Sequence, residues 1–240
     1  MTIAANTGFL FKDLPFLERI GAAAEAGFAA VEFHDEAQRE RPDDVRAALS
    51  DAGLRLLGLN VRMGDTAGCA GVPGMERQAR DDITEAIDTA RALGGTAVHV
   101  LAGKPDDTEE AWATYRSNLL FAADRAGDLA ILIEPLCGKA MPGYLLSSVA
   151  RAASVIEWLG RSEVRIMFDV FHVVGNGDDI AATYRAYEPF IGHVQIADPR
   201  TRHEPSPALV RELRAMGWTG AVGAEYVPAA TDDPFGWMPS

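Results

Sequence analysis

One phrase recurs along the chain: an alanine-rich helical stretch, a glycine, a short apolar run, then a polar residue. Its first occurrence is Ala24-Glu25-Ala26-Gly27-Phe28-Ala29-Ala30-Val31-Glu32, and its second runs from Ser50-Asp51-Ala52-Gly53-Leu54 to Asn60. Ala90-Arg91-Ala92-Leu93-Gly94 leads in the same way to Val100, and Arg214-Ala215-Met216-Gly217 to Glu225. The glycine marks the point where a helix closes in the left-handed region before the chain turns into a strand. Such alternation builds parallel strands joined by helical crossovers. The patterning predicts strands over residues 3–6, 30–33, 54–60, 97–100, 130–134, 164–169, 191–196 and 221–225. It predicts helices over 14–26, 42–52, 79–93, 109–126, 148–159, 180–187 and 208–216. Eight strand–helix units in 240 residues is the size of a (β/α)8 TIM barrel. A single α/β domain over residues 1–240 is expected. Pro228, Pro234 and Pro239 oppose a long final helix, so the C-terminal end of the barrel should be shortened.

The chemistry is written at the strand ends. Ile131-Leu132-Ile133 needs burial on both faces, as in a parallel sheet, and the run ends on Glu134, with Pro135 forbidding further pairing. The sixth strand ends at Asp169, the seventh carries Gln195, and the eighth ends at Glu225. About one strand–helix unit separates each from the next, so all four side chains should stand at matching heights around one half of the barrel mouth. Three converging carboxylates repel one another unless a cation lies between them. Oxygen-only ligands suit a hard divalent ion, Mg²⁺ or Mn²⁺, and the Gln195 amide oxygen adds a neutral ligand. Two long Gly- and Pro-rich connections, over 61–76 and 137–147, follow the third and fifth strands, on the face where barrels build their sites.

The balance of 48% apolar and 24% charged residues is that of a globular protein, and no apolar run approaches the length of a membrane span. A formal charge of −13 disfavours nucleic acid and anionic membranes as partners, because phosphate binding needs a basic footprint. Cys69 and Cys137 show no pairing pattern, and no export signal is visible, so a cytoplasmic protein with reduced thiols is expected. Assembly as a homodimer or homotetramer is compatible with the chain. His34, His99 and His203 lack ligand spacing and read as structural or exposed, while Phe9, Phe11, Trp218 and Trp237 are aromatic residues available to line a pocket.

The ordered motifs Ala4-Ala5-Asn6, Ala26-Gly27-Phe28 through Val31-Glu32-Phe33, Ala90-Arg91-Ala92-Leu93-Gly94, Leu132-Ile133-Glu134-Pro135, Asp169-Val170-Phe171-His172, Gly192-His193-Val194-Gln195-Ile196-Ala197-Asp198 and Glu225-Tyr226 resemble the hydroxypyruvate isomerase family of the xylose isomerase-like barrels. The resemblance spans nearly the whole chain. It implies a divalent metal held by Glu134, Asp169, Gln195 and Glu225, with Glu134 and Glu225 also acting as acid–base catalysts. It further implies His172 as a partner for a substrate oxygen, Arg202 as the residue that forks onto the substrate's carboxylate, and Glu204 as an orienter of Arg202.

The implied reaction converts hydroxypyruvate to tartronate semialdehyde through an enediolate. The chain departs from the family after Glu204-Pro205, where a Gly-rich loop is shortened by several residues. That opens a second reading, an isomerase or 3-epimerase of another small unphosphorylated sugar or sugar acid. A non-catalytic binding protein on the same fold is a third, and the retained acids argue against it.

Overall fold

Eight short strands pair in parallel, each with the next, and the last returns to the first to close a barrel. They are β1 (Ile3–Asn6), β2 (Ala30–Phe33), β3 (Arg55–Asn60), β4 (Ala97–His99), β5 (Ala130–Ile133), β6 (Val164–Asp169), β7 (Ile191–Ile196) and β8 (Val222–Ala224). The structure is a computed structural model that describes residues 1–229 and 233–238. The crossovers carry α1 (Phe16–Glu25), α2 (Pro42–Ala52), α3 (Glu76–Ala92), α4 (Glu109–Ala126), α5 (Val149–Leu159), α6 (Val170–Gly175), α7 (Ile180–Tyr187) and α8 (Pro207–Ala215). Among the described residues no helix follows β8, and none is long and apolar enough to cross a membrane.

The glycines of the recurring phrase behave as the pattern requires. Gly27, Gly53, Gly94 and Gly217 take φ of 90°, 64°, 70° and 101°, the region that side-chain-bearing residues rarely enter. Element ends elsewhere shift by a residue or two, and the two largest differences from the sequence-based expectation concern α3 and α6. Helix α3 starts at Glu76 instead of residue 79, because the Glu76 carboxylate accepts the Gly74 amide and favours the first turn. Helix α6 has no periodic signal, since its six residues span fewer than two turns. It forms because Asp169 caps it, its Oδ1 accepting the Phe171 amide at 2.9 Å.

Most of the core lies between the strands and the surrounding helices, where side chains such as Val31, Ile83, Ile131 and Phe168 are almost wholly buried. The barrel interior is less filled. Near the N-terminal ends of the strands, Ala4, Ala30 and Leu57 pack as one small cluster and Ala97, Leu132 and Met167 as another. A cavity of about 320 Å³ takes in Leu57, Ala97, Leu132 and Met167 from the two clusters. Its lining also includes the polar residues Glu32 and His193.

Candidate active site

Strand β5 stops at Ile133, so Glu134 leaves the ladder one residue past it, and β8 stops at Ala224 with Glu225 in the equivalent place. Asp169 and Gln195 are partners in the parallel register of β6 and β7. All four side chains belong to residues only 2% to 6% exposed. Four acidic or amide groups are thereby gathered at one buried end of the barrel, as their positions at strand ends imply.

Their partners are unequal. Glu225 is well held: Asn6 Nδ2 donates to its Oε1 at 3.1 Å, Arg202 Nη2 to its Oε2 at 2.5 Å, and His34 Nε2 stands 3.7 Å away. Glu134 has only loose neighbours, with His172 Nε2 and His99 Nδ1 each at 3.8 Å. Asp169 uses Oδ1 for its helix cap and turns Oδ2 inward, 3.6 Å from His172 Nε2 and 3.8 Å from Arg202 Nη2. The His172 ring accepts the Cys137 amide at Nδ1, so in its neutral form the proton sits on Nε2, facing the two acids. Arg202 lies between the rings of Phe9 and Phe171, with its guanidinium carbon 4.6 Å and 4.7 Å from their centres. The loop that carries it is shaped by Asp198, whose carboxylate accepts the Arg200 and Thr201 amides. Glu204 points elsewhere and accepts the Ala229 amide.

This asymmetry separates the proton affinities of the acids. Burial, reinforced by the charges of Glu225 and Asp169, pushes the Glu134 carboxyl well above its ordinary range. Burial also pushes Asp169 up to about 8. Burial acts in the same direction on Glu225, but the Arg202 charge and the His34 contact outweigh it and hold Glu225 down at about 2. The imidazoles are kept neutral, His172 falling to about 4 and His99 to about 3, mainly through burial.

The residues fit a divalent cation. Glu134 Oε1, Asp169 Oδ2 and Gln195 Oε1 are buried and lack hydrogen-bond partners among the described residues, an expensive state unless something else engages them. Glu134, Asp169 and His172 offer atoms within 4.8 Å of one another. Three oxygen donors, one of them neutral, match a hard ion.

A pH dependence follows. An acid whose folded pKa is raised binds more protons folded than unfolded, so stability falls as pH climbs from the unfolded value towards the folded one. Between pH 6.5 and 8 the two raised acids, Glu134 and Asp169, dominate this slope. Chelator-treated protein is therefore expected to lose thermal stability across that window, and the increment gained on adding Mn²⁺ to grow across it, because ligation needs ionised carboxylates. Melting curves at pH 6.5, 7.2 and 8.0 with and without Mn²⁺ check both slopes.

Three further residues near the acids carry no assigned site role from the sequence. Asn6 ends β1, His34 follows β2 and His99 ends β4, so each occupies the strand-end position that drew attention to Glu134 and Glu225. Ligand spacing draws no attention to the two histidines, whereas strand-end position marks all three. Of the aromatic residues, Phe9 covers Arg202 while Trp218 lines the interior cavity, which also reaches Asn6, His99 and Gln195.

A closed parallel barrel with acids and an amide at the C-terminal ends of consecutive strands is the layout of a TIM-barrel active site. Residues 20–239 match the family described as the xylose isomerase-like TIM barrel, and the chain belongs to it. It is 35% identical to 2-oxo-tetronate isomerase of Cupriavidus necator, over 98% of this chain and 96% of that protein. It is 36% identical to a putative hydroxypyruvate isomerase of Streptomyces coelicolor, over 98% of this chain and 94% of that one. Among solved structures, AP endonuclease, family 2, from Brucella melitensis superposes with a TM-score of 0.91 at 30% identity, covering 97% of this chain and 95% of that one. With full-length relatives named as isomerases, the chain is an isomerase resembling the hydroxypyruvate isomerases.

Proposed function

We propose that the protein interconverts the two carbonyl isomers of a small hydroxy-oxo acid, with hydroxypyruvate and tartronate semialdehyde as the leading pair. The observation that carries this reading is a pair of buried glutamates with unequal partners among the described residues, Glu225 gripped by Asn6 and Arg202 and Glu134 with a free oxygen, beside the unpartnered oxygens of Asp169 and Gln195. In hydroxypyruvate a proton leaves C3 and one returns to C2, while the hydroxyl proton passes from the C3 oxygen to the C2 oxygen. Glu134, whose surroundings favour the protonated form, is suited to holding the carbon-derived proton between the two steps. Glu225, held as an anion, is suited to accepting or returning a proton on the other side. Glu134, Asp169, Gln195 and Glu225 would hold Mg²⁺ or Mn²⁺, which would supply charge stabilisation for the enediolate and acidify the C–H bond.

The remaining residues orient the substrate. His172 carries its proton on Nε2 and can donate it to a substrate oxygen. Arg202, planar and stacked between two rings, can fork onto the substrate carboxylate in exchange for part of its contact with Glu225. The Glu204 contact with Ala229 supports the loop after Arg202, leaving substrate orientation to Arg202 itself. The acidic balance of the chain suits a free small molecule better than nucleic acid. A reducing compartment such as the cytoplasm suits Cys69 and Cys137, which are free and buried.

A second reading has its own support, since one relative is named for the four-carbon acid 2-oxo-tetronate. The test is to incubate metal-stripped and Mn²⁺- or Mg²⁺-supplemented enzyme with hydroxypyruvate and with 2-oxo-tetronate, following products by NMR. Turnover of hydroxypyruvate that requires metal is expected. Metal-dependent turnover of 2-oxo-tetronate alone selects the second reading. Epimerisation of a ketose with neither acid converted replaces both with a sugar epimerase, and undiminished turnover in stripped enzyme removes the metal from the mechanism.

A further inference from the structure

Gln195 is held by a residue from a distant strand. Glu32, on β2, reaches across the barrel interior, and its Oε2 accepts the Gln195 Nε2 proton at 2.9 Å. His193, two residues before Gln195 on β7, places Nε2 2.6 Å from the other Glu32 oxygen, in close contact although off the hydrogen-bond line. The β2–β3 pairing shifts register between Val31 and Glu32, and such an irregularity re-aims the side chain that follows. Gly223, paired with Gln195 in the β7–β8 register, makes room for the reach, because a Cβ there would fall inside the Glu32 carboxylate. Glu32 itself is 4% exposed, and nothing in the proton-transfer scheme uses it.

We infer that Glu32, seated by Gly223 and His193, is a positioning residue that locks the Gln195 amide with its oxygen turned towards the catalytic carboxylates. The Glu32 oxygen accepts from the Gln195 amide nitrogen, which leaves the amide oxygen facing away from Glu32. The terminal torsion of a glutamine is broad and roughly two-fold, so an unsecured amide samples both orientations. The flipped one would aim an NH₂ group at the place where a cation belongs, and an NH₂ group cannot ligate it. Glu32 removes that half of the ensemble before any ion arrives.

This inference rests on the metal reading above, and its test separates the two. Mn²⁺ affinity of chelator-stripped protein is measured by electron paramagnetic resonance for wild type, Glu32→Leu, Gln195→Met and the double variant, with circular dichroism reporting the fold. Glu32→Leu is expected to weaken Mn²⁺ binding by about tenfold to a hundredfold. In the Gln195→Met background the same change should cost less than about threefold, because no amide remains to orient. Glu32→Gln, which can still turn an oxygen towards Gln195, should stay within about threefold of wild type by the same logic.

Should Glu32→Leu fail to fold, Gly223→Ala takes its place, since the added methyl displaces the carboxylate. Equal losses in both backgrounds, or a Glu32→Gln loss as deep as that of Glu32→Leu, overturn the positioning role while leaving the metal site intact. Wild-type protein that binds no Mn²⁺ overturns the metal reading, and the positioning role falls with it.

Discussion

Replacing Glu134 with Gln is expected to lower kcat by about 10²- to 10⁴-fold, the range supplied by a positioned acid–base group. The same substitution should make the metal-free protein more stable. Both effects come from one feature, a buried carboxyl with no strong partner among the described residues that stands beside two further acids, Glu225 and Asp169. Such a group holds a proton tightly, as a carbon acid's conjugate partner requires, and the fold bears the cost of keeping it there. The amide isostere keeps the shape and removes the charge.

The sign of the stability effect depends on pH. With its folded pKa raised above the model-compound value of 4.5, Glu134 destabilises the fold progressively as pH rises past that value. The gain in melting temperature for Glu134→Gln should therefore be small near pH 5 and larger near pH 8, reaching about 3 °C or more on the scale of a protein this size. Single-turnover kinetics and melting curves on the same preparation check the pair of predictions. Retained activity would remove Glu134 from the proton path. A loss of stability that is independent of pH would show that its hydrogen-bonding capacity, and not its charge, matters to the fold.

How much of this is legible in the chain varies with the range of the interaction. The barrel is local information repeated: glycines such as Gly27 and Gly53 end helices in conformations that favour glycine, and the apolar runs after them have nowhere to go but a parallel sheet. The acid set is legible too, because Glu134-Pro135 and Asp169 stand where strands stop, and strand ends of a barrel converge by geometry. What the pattern does not contain is which of these groups contact each other across the mouth. Arg202 could be placed in the right loop, but nothing local says that its head would meet Glu225, 23 residues later. Glu32 and Gln195 lie 163 residues apart, and their contact depends on the absence of a side chain at Gly223. A missing Cβ leaves no hydrophobic or charge signature to read. The double role of Asp169, capping α6 with one oxygen and facing the site with the other, emerges only when the strand runs directly into the helix.

Arg202→Met is expected to destabilise the metal-free protein by about 3 kcal/mol at neutral pH, as removal of one member of a buried ion pair does. That corresponds to a fall in melting temperature on the order of 10 °C for a chain of this size. The guanidinium is the principal positive charge acting on Glu225 and also faces Asp169, and it is mostly enclosed by the Phe9 and Phe171 rings. Methionine fills similar space between those rings and leaves Glu225 as an uncompensated buried anion. Because Arg202 holds Glu225 near 2, against an ordinary value of 4.5, its contribution is fully present above about pH 4.5 and fades as pH falls towards 2. The stability gap between wild type and Arg202→Met should follow that course, wide at neutral pH and closing in acid. Added Mn²⁺ should also narrow it at neutral pH, since a cation among the carboxylates supplies charge that the variant lacks. The remaining deficit should then appear in KM for a carboxylate-bearing substrate more than in the melting temperature. A gap that persists undiminished at pH 2.5 would mean that Arg202 supports the fold through packing against Phe9 and Phe171 and not through its charge. A KM unchanged in the metal-loaded variant would assign the substrate carboxylate to another residue.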